Sequence, residues 1–288
     1  MTISSPPVLE LRAGALRLAL RPDLGACISG FWCGDVPVLR SEDDASRLLS
    51  ARDSGGFVMA PYSNRLGYRR FRWLGQDHST APNTEGSPHS LHGTGWSSTW
   101  QLLSSADDAA ELVCRQVADA AWPFDFELRQ RLALTPEGLQ IDLSFCNTDI
   151  RPQPVGLGWH PWFPKRSRSR LHIELTDRWE SDPGTGLPTR KVAQDGIDSD
   201  VAHLGYDHCF EGWRGAARIR DEKLSIRLSA SVPYLVVYTP AQMSFFCVEP
   251  VSHVSDAVHM AEPAAHGLRT VQPGQTLDAS FRLDVAPV

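Results

Sequence analysis

FDFELRQRLALTPEGLQIDLSF, residues 124–145, reads as two strands and the turn between them. Phe124, Phe126 and Leu128 share one side of a two-residue period, and Leu132 and Leu134 resume it. After the turn Thr135-Pro136-Glu137-Gly138, Leu139, Ile141, Leu143 and Phe145 alternate with Gln140, Asp142 and Ser144. Successive side chains of a strand point to opposite faces, so this is a hairpin with one dry and one wet face. Proline and glycine at the join supply the turn.

The same alternation recurs outward from that hairpin, at Leu9 to Leu20, Leu171-Ile173-Leu175, Leu224-Ile226-Leu228 and Leu277-Ala279-Phe281-Leu283. Tyr234 to Tyr238 and Phe245 to Val248 are apolar throughout, as strands buried on both faces are. Helical spacing is expected only at Glu42 to Ala51 and around Ala257. Many strands and few helices predict an all-β chain, a large antiparallel β-sandwich or barrel. No linker, repeat or low-complexity block divides the 288 residues, so one domain, 1–288, is expected.

A formal net charge of -6 argues against a nucleic-acid partner, which calls for a broad basic field. Met1 to Pro7 lacks the basic and apolar regions of a leader, and no apolar run reaches the ~20 residues that span a bilayer. Cys27, Cys33, Cys114, Cys146, Cys209 and Cys247 contain no CxxC pair and sit mostly in strand-like runs. They read as reduced thiols of a cytoplasmic protein with no membrane partner, a monomer or homodimer.

Five short polar and aromatic segments fall outside the strand pattern. Ser63-Asn64-Arg65 offers an amide and a guanidinium fork suited to hydroxyl oxygens, or a surface arginine capping a turn. His89-Ser90-Leu91-His92-Gly93 presents two imidazoles. With no second pair to complete a ligand set, they read as loop histidines rather than a metal site. Gly158-Trp159-His160-Pro161-Trp162 holds a histidine among indoles, whose faces, Trp162 included, suit the CH groups of a pyranose. Tyr206-Asp207-His208 carries a carboxylate that either accepts sugar hydroxyls or caps a turn. In Phe245-Phe246-Cys247-Val248-Glu249-Pro250 a glutamate ends an apolar strand, where desolvation raises its pKa from ~4.3 toward a general base's range.

In this order, Ser63-Asn64-Arg65, Leu91-His92-Gly93, Gly158-Trp159-His160-Pro161, Asp207 with Phe210, and Val248-Glu249-Pro250 resemble the aldose 1-epimerase (galactose mutarotase) family. Gly267-Leu268-Arg269 to Pro273-Gly274-Gln275 is similar to that family's last strand. The resemblance implies a galactose mutarotase-like β-sandwich, of the type called a supersandwich, with no metal or other cofactor. It implies that His160 is the general acid and Glu249 the general base, with Arg65, Asn64, His92 and Asp207 binding the sugar. Opening a hemiacetal needs one proton removed and one delivered, so the acid and base are expected to flank the sugar. Three other expectations compete. Asp207 and Glu249 are a candidate glycosidase pair. The same residues suit a non-catalytic sugar-binding module. The run Lys165 to Arg170 suits a sugar phosphate, though it reads more simply as a solvated loop.

Overall fold

The computed structural model describes residues 8–288, so Met1 to Pro7, where a leader was sought, lie outside the described residues. Among the described residues the chain forms an 11-stranded and a 9-stranded sheet, with three two-stranded ribbons. Every strand pairing within the two large sheets is antiparallel.

The hairpin at residues 124–145 forms the strands Phe126–Thr135 and Gly138–Asn147, with Thr135 paired to Gly138 across a two-residue turn. Gly138 is a glycine for a steric reason: a Cβ there would lie 1.9 Å from the carbonyl oxygen of Leu283 on the next strand, Thr276–Pro287. Gln130 interrupts the apolar period of the sequence but remains on the dry face, buried among leucines.

One hydrophobic cluster is fed by both large sheets. Phe126, Leu128, Ile141, Phe145 and Phe281 come from the 9-stranded sheet, and Phe31, Val58, Trp159, Phe163, Phe246 and Val248 from the 11-stranded one. Burying each such side chain stabilises by roughly 1.5–3 kcal/mol.

The strands that carry the site occupy the middle of the 11-stranded sheet in the order Gly56–Met59, Gly158–Pro164, Phe245–Val251, Tyr234–Tyr238, Asp207–Glu211. Their alternate residues point away from the main cluster. Phe57, Met59, Trp162, Cys209, Val236, Cys247 and Val251 form a second buried layer on that far side. These strands are therefore buried on both faces, and period two separates a structural face from a chemical one.

The helical expectation fails at Glu42 to Ala51 and around Ala257. Only three-residue 3₁₀ turns form, at Ala45–Arg47, Ala51–Asp53 and Ala257–His259. In the first segment Asp44 and Ser50 each turn a side chain back onto the backbone two residues on. Leu49 is 90% exposed, so no apolar stripe holds a longer helix. Among the described residues no helix is long and apolar enough to cross a membrane. All six cysteines are free thiols.

Candidate active site

Strand register brings His160 and Glu249 together. Gly158–Pro164 pairs with Phe245–Val251 through Gly158 opposite Val251 and Trp162 opposite Cys247. The same register, carried between those pairs, sets His160 opposite Glu249. Pro161 and Pro250 lie inside the unpaired stretch, where neither has an N–H to give the ladder. The imidazole Nε2 stands 3.3 Å from a carboxylate oxygen of Glu249. The two groups sit side by side on one sheet face, where the sequence had them flanking a sugar. Nor does Glu249 end its strand, which continues through Pro250 to Val251.

Desolvation dominates the electrostatics. Glu249 is 2% exposed, and burial, reinforced by the negative charge of Asp207, raises its pKa well above the usual carboxylate range. His160 is 8% exposed, and burial, with the positive charge of Arg52 adding, pushes its pKa down to about 3. Both shifts favour the neutral forms. Glu249 Oε2 and His160 Nδ1 are buried without a hydrogen-bond partner.

The loops on this face are held by backbone bonds to imidazoles. His92 Nδ1 accepts the N–H of Asn64 at 3.1 Å, and the N–H of His92 returns a bond to the Asn64 carbonyl at 2.9 Å. An accepting Nδ1 leaves the proton on Nε2, so His92 is a neutral hydrogen-bond donor. Burial, then the neighbouring His160, keeps its pKa well below the usual histidine value. Its ring meets His160 edge to face with centroids 5.1 Å apart. Asn64 (φ 58°) and His92 (φ 62°) both occupy the left-handed region, a strain concentrated at functional sites.

Asn64 Oδ1 accepts from the Arg65 guanidinium at 3.2 Å, and Arg65 reaches Asp207 at 3.5 Å. The tip of the hairpin between Asp177–Ser181 and Pro188–Ala193 lies over that guanidinium. A Cβ on Gly186, at φ +71°, would stand 2.8 Å from Arg65 Nε. Arg65, Asp207, Gly186 and Trp179 line a small cavity beneath the tip.

Trp162 and the basic run have other uses than the sequence suggested, whereas His89 is the backbone-bonded loop histidine it suggested. Trp162 lies in the cluster at 6% exposed, but His160 stacks on its ring at 4.0 Å, so the face expected to meet a sugar carries the imidazole. His89 joins loops through backbone groups, accepting from Tyr68 N at 2.8 Å and lying 3.0 Å from the Thr185 carbonyl. In the basic run, Lys165 binds the Pro240 carbonyl, Arg166 pairs with Asp221, and Arg170 pairs with Asp198 and Asp200.

Three neighbours were given no role by the sequence. Arg52 lies over the Trp96 ring at 4.7 Å and gives one donor to Thr84. Its charge bears on both His160 and His92. His253 accepts the backbone N–H of Ser63. Cys247 shares a strand face with Glu249. The one available signal was parity, since 247 and 249 are two apart on a strand.

The chain is similar to known proteins over nearly its whole length. YphB of Escherichia coli K12, an uncharacterized protein, is 30% identical over 96% of this chain and 98% of its own length. A solved E. coli K12 protein named as a candidate aldose 1-epimerase superposes with a TM-score of 0.88 at 28% identity, covering 98% of this chain and 99% of that one. A galactose mutarotase-like protein of Clostridium acetobutylicum shares the fold at a TM-score of 0.84 and 19% identity, over 98% and 95% of the two chains. The sequence profile of the aldose 1-epimerase family matches residues 7–284, nearly the whole chain, and the chain belongs to that family.

Proposed function

We propose that this protein interconverts the α and β anomers of a free aldose, a hexose in the first instance, with His160 and Glu249 exchanging protons with the substrate. One observation carries the reading: His160 Nε2 and a Glu249 oxygen stand 3.3 Å apart on one sheet face. The anomeric hydroxyl oxygen and the ring oxygen are bonded to the same carbon. Two oxygens that close require an acid and a base that are neighbours, each within hydrogen-bond reach of its own oxygen.

In this reading Glu249, ionised, takes the proton of the anomeric hydroxyl. The electrons of that bond form the C1 carbonyl, the bond from C1 to the ring oxygen breaks, and His160 protonates the released oxygen. The open aldehyde turns about its C1–C2 bond and recloses on the other face with both transfers reversed. An imidazolium beside a carboxylate and an imidazole beside a carboxylic acid contain the same number of protons. The cycle therefore moves one proton across the pair and exchanges none with water. The Nε2–H of His92 supports the ring oxygen, while Asn64, Arg65 and Asp207 hold the other hydroxyls.

Glu249 contacts an imidazole while Asp207 is ion-paired with Arg65, which favours proton exchange over glycoside hydrolysis by those two carboxylates. Within the basic run, Lys165, Arg166 and Arg170 are engaged by carbonyls and carboxylates, which favours an unphosphorylated sugar. Free thiols suit a reducing cytoplasm, and one core shared by two sheets suits a single domain.

A panel of free aldoses, followed by polarimetry or NMR, tests the reading: at least one is expected to equilibrate its anomers faster with enzyme. Sugar binding without acceleration would make the protein a binding module, and release of aglycone from an aryl glycoside would make it a hydrolase. A strong preference for glucose 6-phosphate over glucose would overturn the choice of substrate.

A further inference from the structure

The floor of the site contains a ligating group that the acid–base reading does not use. Cys247 is fully buried two residues before Glu249 on the same strand. Its Sγ, a ring nitrogen of His160 and a carboxylate oxygen of Glu249 all lie within 4.8 Å of one another. A tetrahedral zinc ion, with bonds of ~2.3 Å to sulfur and ~2.0–2.1 Å to nitrogen and oxygen, holds its ligand atoms ~3.3–3.7 Å apart. The 3.3 Å between His160 and Glu249 already matches one edge of that figure. The thiol completes it with a shift of at most about 1.2 Å.

A second observation points the same way. Glu249 Oε2 is buried with no hydrogen-bond partner. An orphaned buried oxygen on a carboxyl group is destabilising unless a ligand satisfies it. Neighbouring side chains leave that role open, and a cation fills it as well as a sugar does.

We propose that His160, Cys247 and Glu249 form a site for a thiophilic divalent cation such as Zn²⁺, with the fourth position open toward the sugar, so that metal and sugar exclude one another. On binding, the thiol releases its proton to solvent and the thiolate ligates; no electron is transferred. One thiolate, one imidazole and one carboxylate suit Zn²⁺ or Co²⁺ and disfavour Mg²⁺ and Ca²⁺, which require shells of oxygen. Binding follows from this geometry alone, whereas inhibition by the metal rests on the proposed acid–base function.

The test uses Co²⁺ as the probe on chelator-treated protein. The wild type is expected to bind one equivalent with a thiolate-to-cobalt charge-transfer band in the near ultraviolet, lost when Zn²⁺ displaces the cobalt. Cys247→Ser should abolish the band and weaken binding by at least about tenfold. Cys114→Ser, in the 9-stranded sheet, should change neither. If Cys247→Ser does not fold, Glu249→Gln serves instead, keeping the band and weakening the affinity. In mutarotation, Zn²⁺ should inhibit the wild type reversibly to chelator. In Cys247→Ser the same fractional inhibition should need at least about tenfold more Zn²⁺. A missing band in the wild type, equal affinity in Cys247→Ser, or Mg²⁺ binding as tight as Zn²⁺ overturns the proposal. A cobalt band in a protein that accelerates no aldose would sink the acid–base reading and leave the metal site standing.

Discussion

His253 accepts the backbone N–H of Ser63 at its Nε2, 3.0 Å away across 190 residues of sequence. Its Nδ1 faces the Val254 carbonyl at 2.7 Å, so the ring is neutral with its proton on Nδ1. The imidazole also fills the space left by Gly156, where a Cβ would stand 1.9 Å from its Cδ2. The loop that carries Asn64 and Arg65 thus hangs on one buried ring just beyond the strand of Glu249.

Burial pushes the pKa of His253 down to about 4, from ~6.5 in an unfolded chain. The folded ring refuses a proton that the unfolded ring takes. Its contribution to stability is therefore full above pH ~6.5 and is lost as pH falls toward 4, about 3 kcal/mol in all. Glu249, shifted upward, acts in the opposite direction, so the difference between wild type and His253→Gln is the quantity to read. Urea midpoints at pH 7.5 and 5.0 should fall further for the wild type than for the variant. Parallel pH dependence of the two would contradict the assignment.

Glu249→Gln keeps the shape of the side chain and removes its basicity. Turnover should drop by roughly 10²-fold or more while sugar affinity changes little. Stability at pH 7.5 should not fall, because a buried ionisable group has been replaced by a neutral one. Anomer exchange at near wild-type rate, measured by polarimetry, would remove Glu249 from the mechanism.

His92→Asn separates strain from chemistry. Asparagine tolerates the left-handed backbone at φ 62°, so the main structural loss is the bond from Asn64 N, about 0.5–1.5 kcal/mol in thermal or urea unfolding. Loss of the Nε2–H donor should nonetheless lower turnover by about 10–10²-fold. Unchanged kcat in a folded variant would make His92 a purely structural residue.

Gly186→Ala puts a methyl group against Arg65 in a left-handed turn. Misaligning one hydrogen bond to the sugar costs about 0.5–1.5 kcal/mol, a rise in KM of about two- to tenfold with kcat little changed. Steady-state kinetics with the best aldose would show it. An unchanged KM would mean that the hairpin tip is irrelevant to Arg65.

Much of this was legible in the chain itself. Period two in the hairpin of residues 124–145 appears as built, because one dry face per strand leaves its mark at every second residue. The five polar segments meet one another in the fold, through Asn64 and His92, His92 and His160, His160 and Glu249, and Arg65 and Asp207. Helical spacing at Glu42 to Ala51 misled, because Asp44 and Ser50 bond the local backbone and no partner surface covers Leu49. Arg52 and His253 stood in no pattern, since their roles depend on which distant loop they meet.

The sequence by itself determined an all-β antiparallel architecture and which side chains are chemically able to act, because hydrophobic period and residue type are local properties. Only the tertiary structure decided that His160 and Glu249 are cross-strand neighbours, that Trp162 supports the imidazole, and that Cys247 joins them. Register is a collective outcome of two whole strands and the layers packed on both their faces. A slip of one residue would turn every one of these side chains to the other face, and no single residue records that choice.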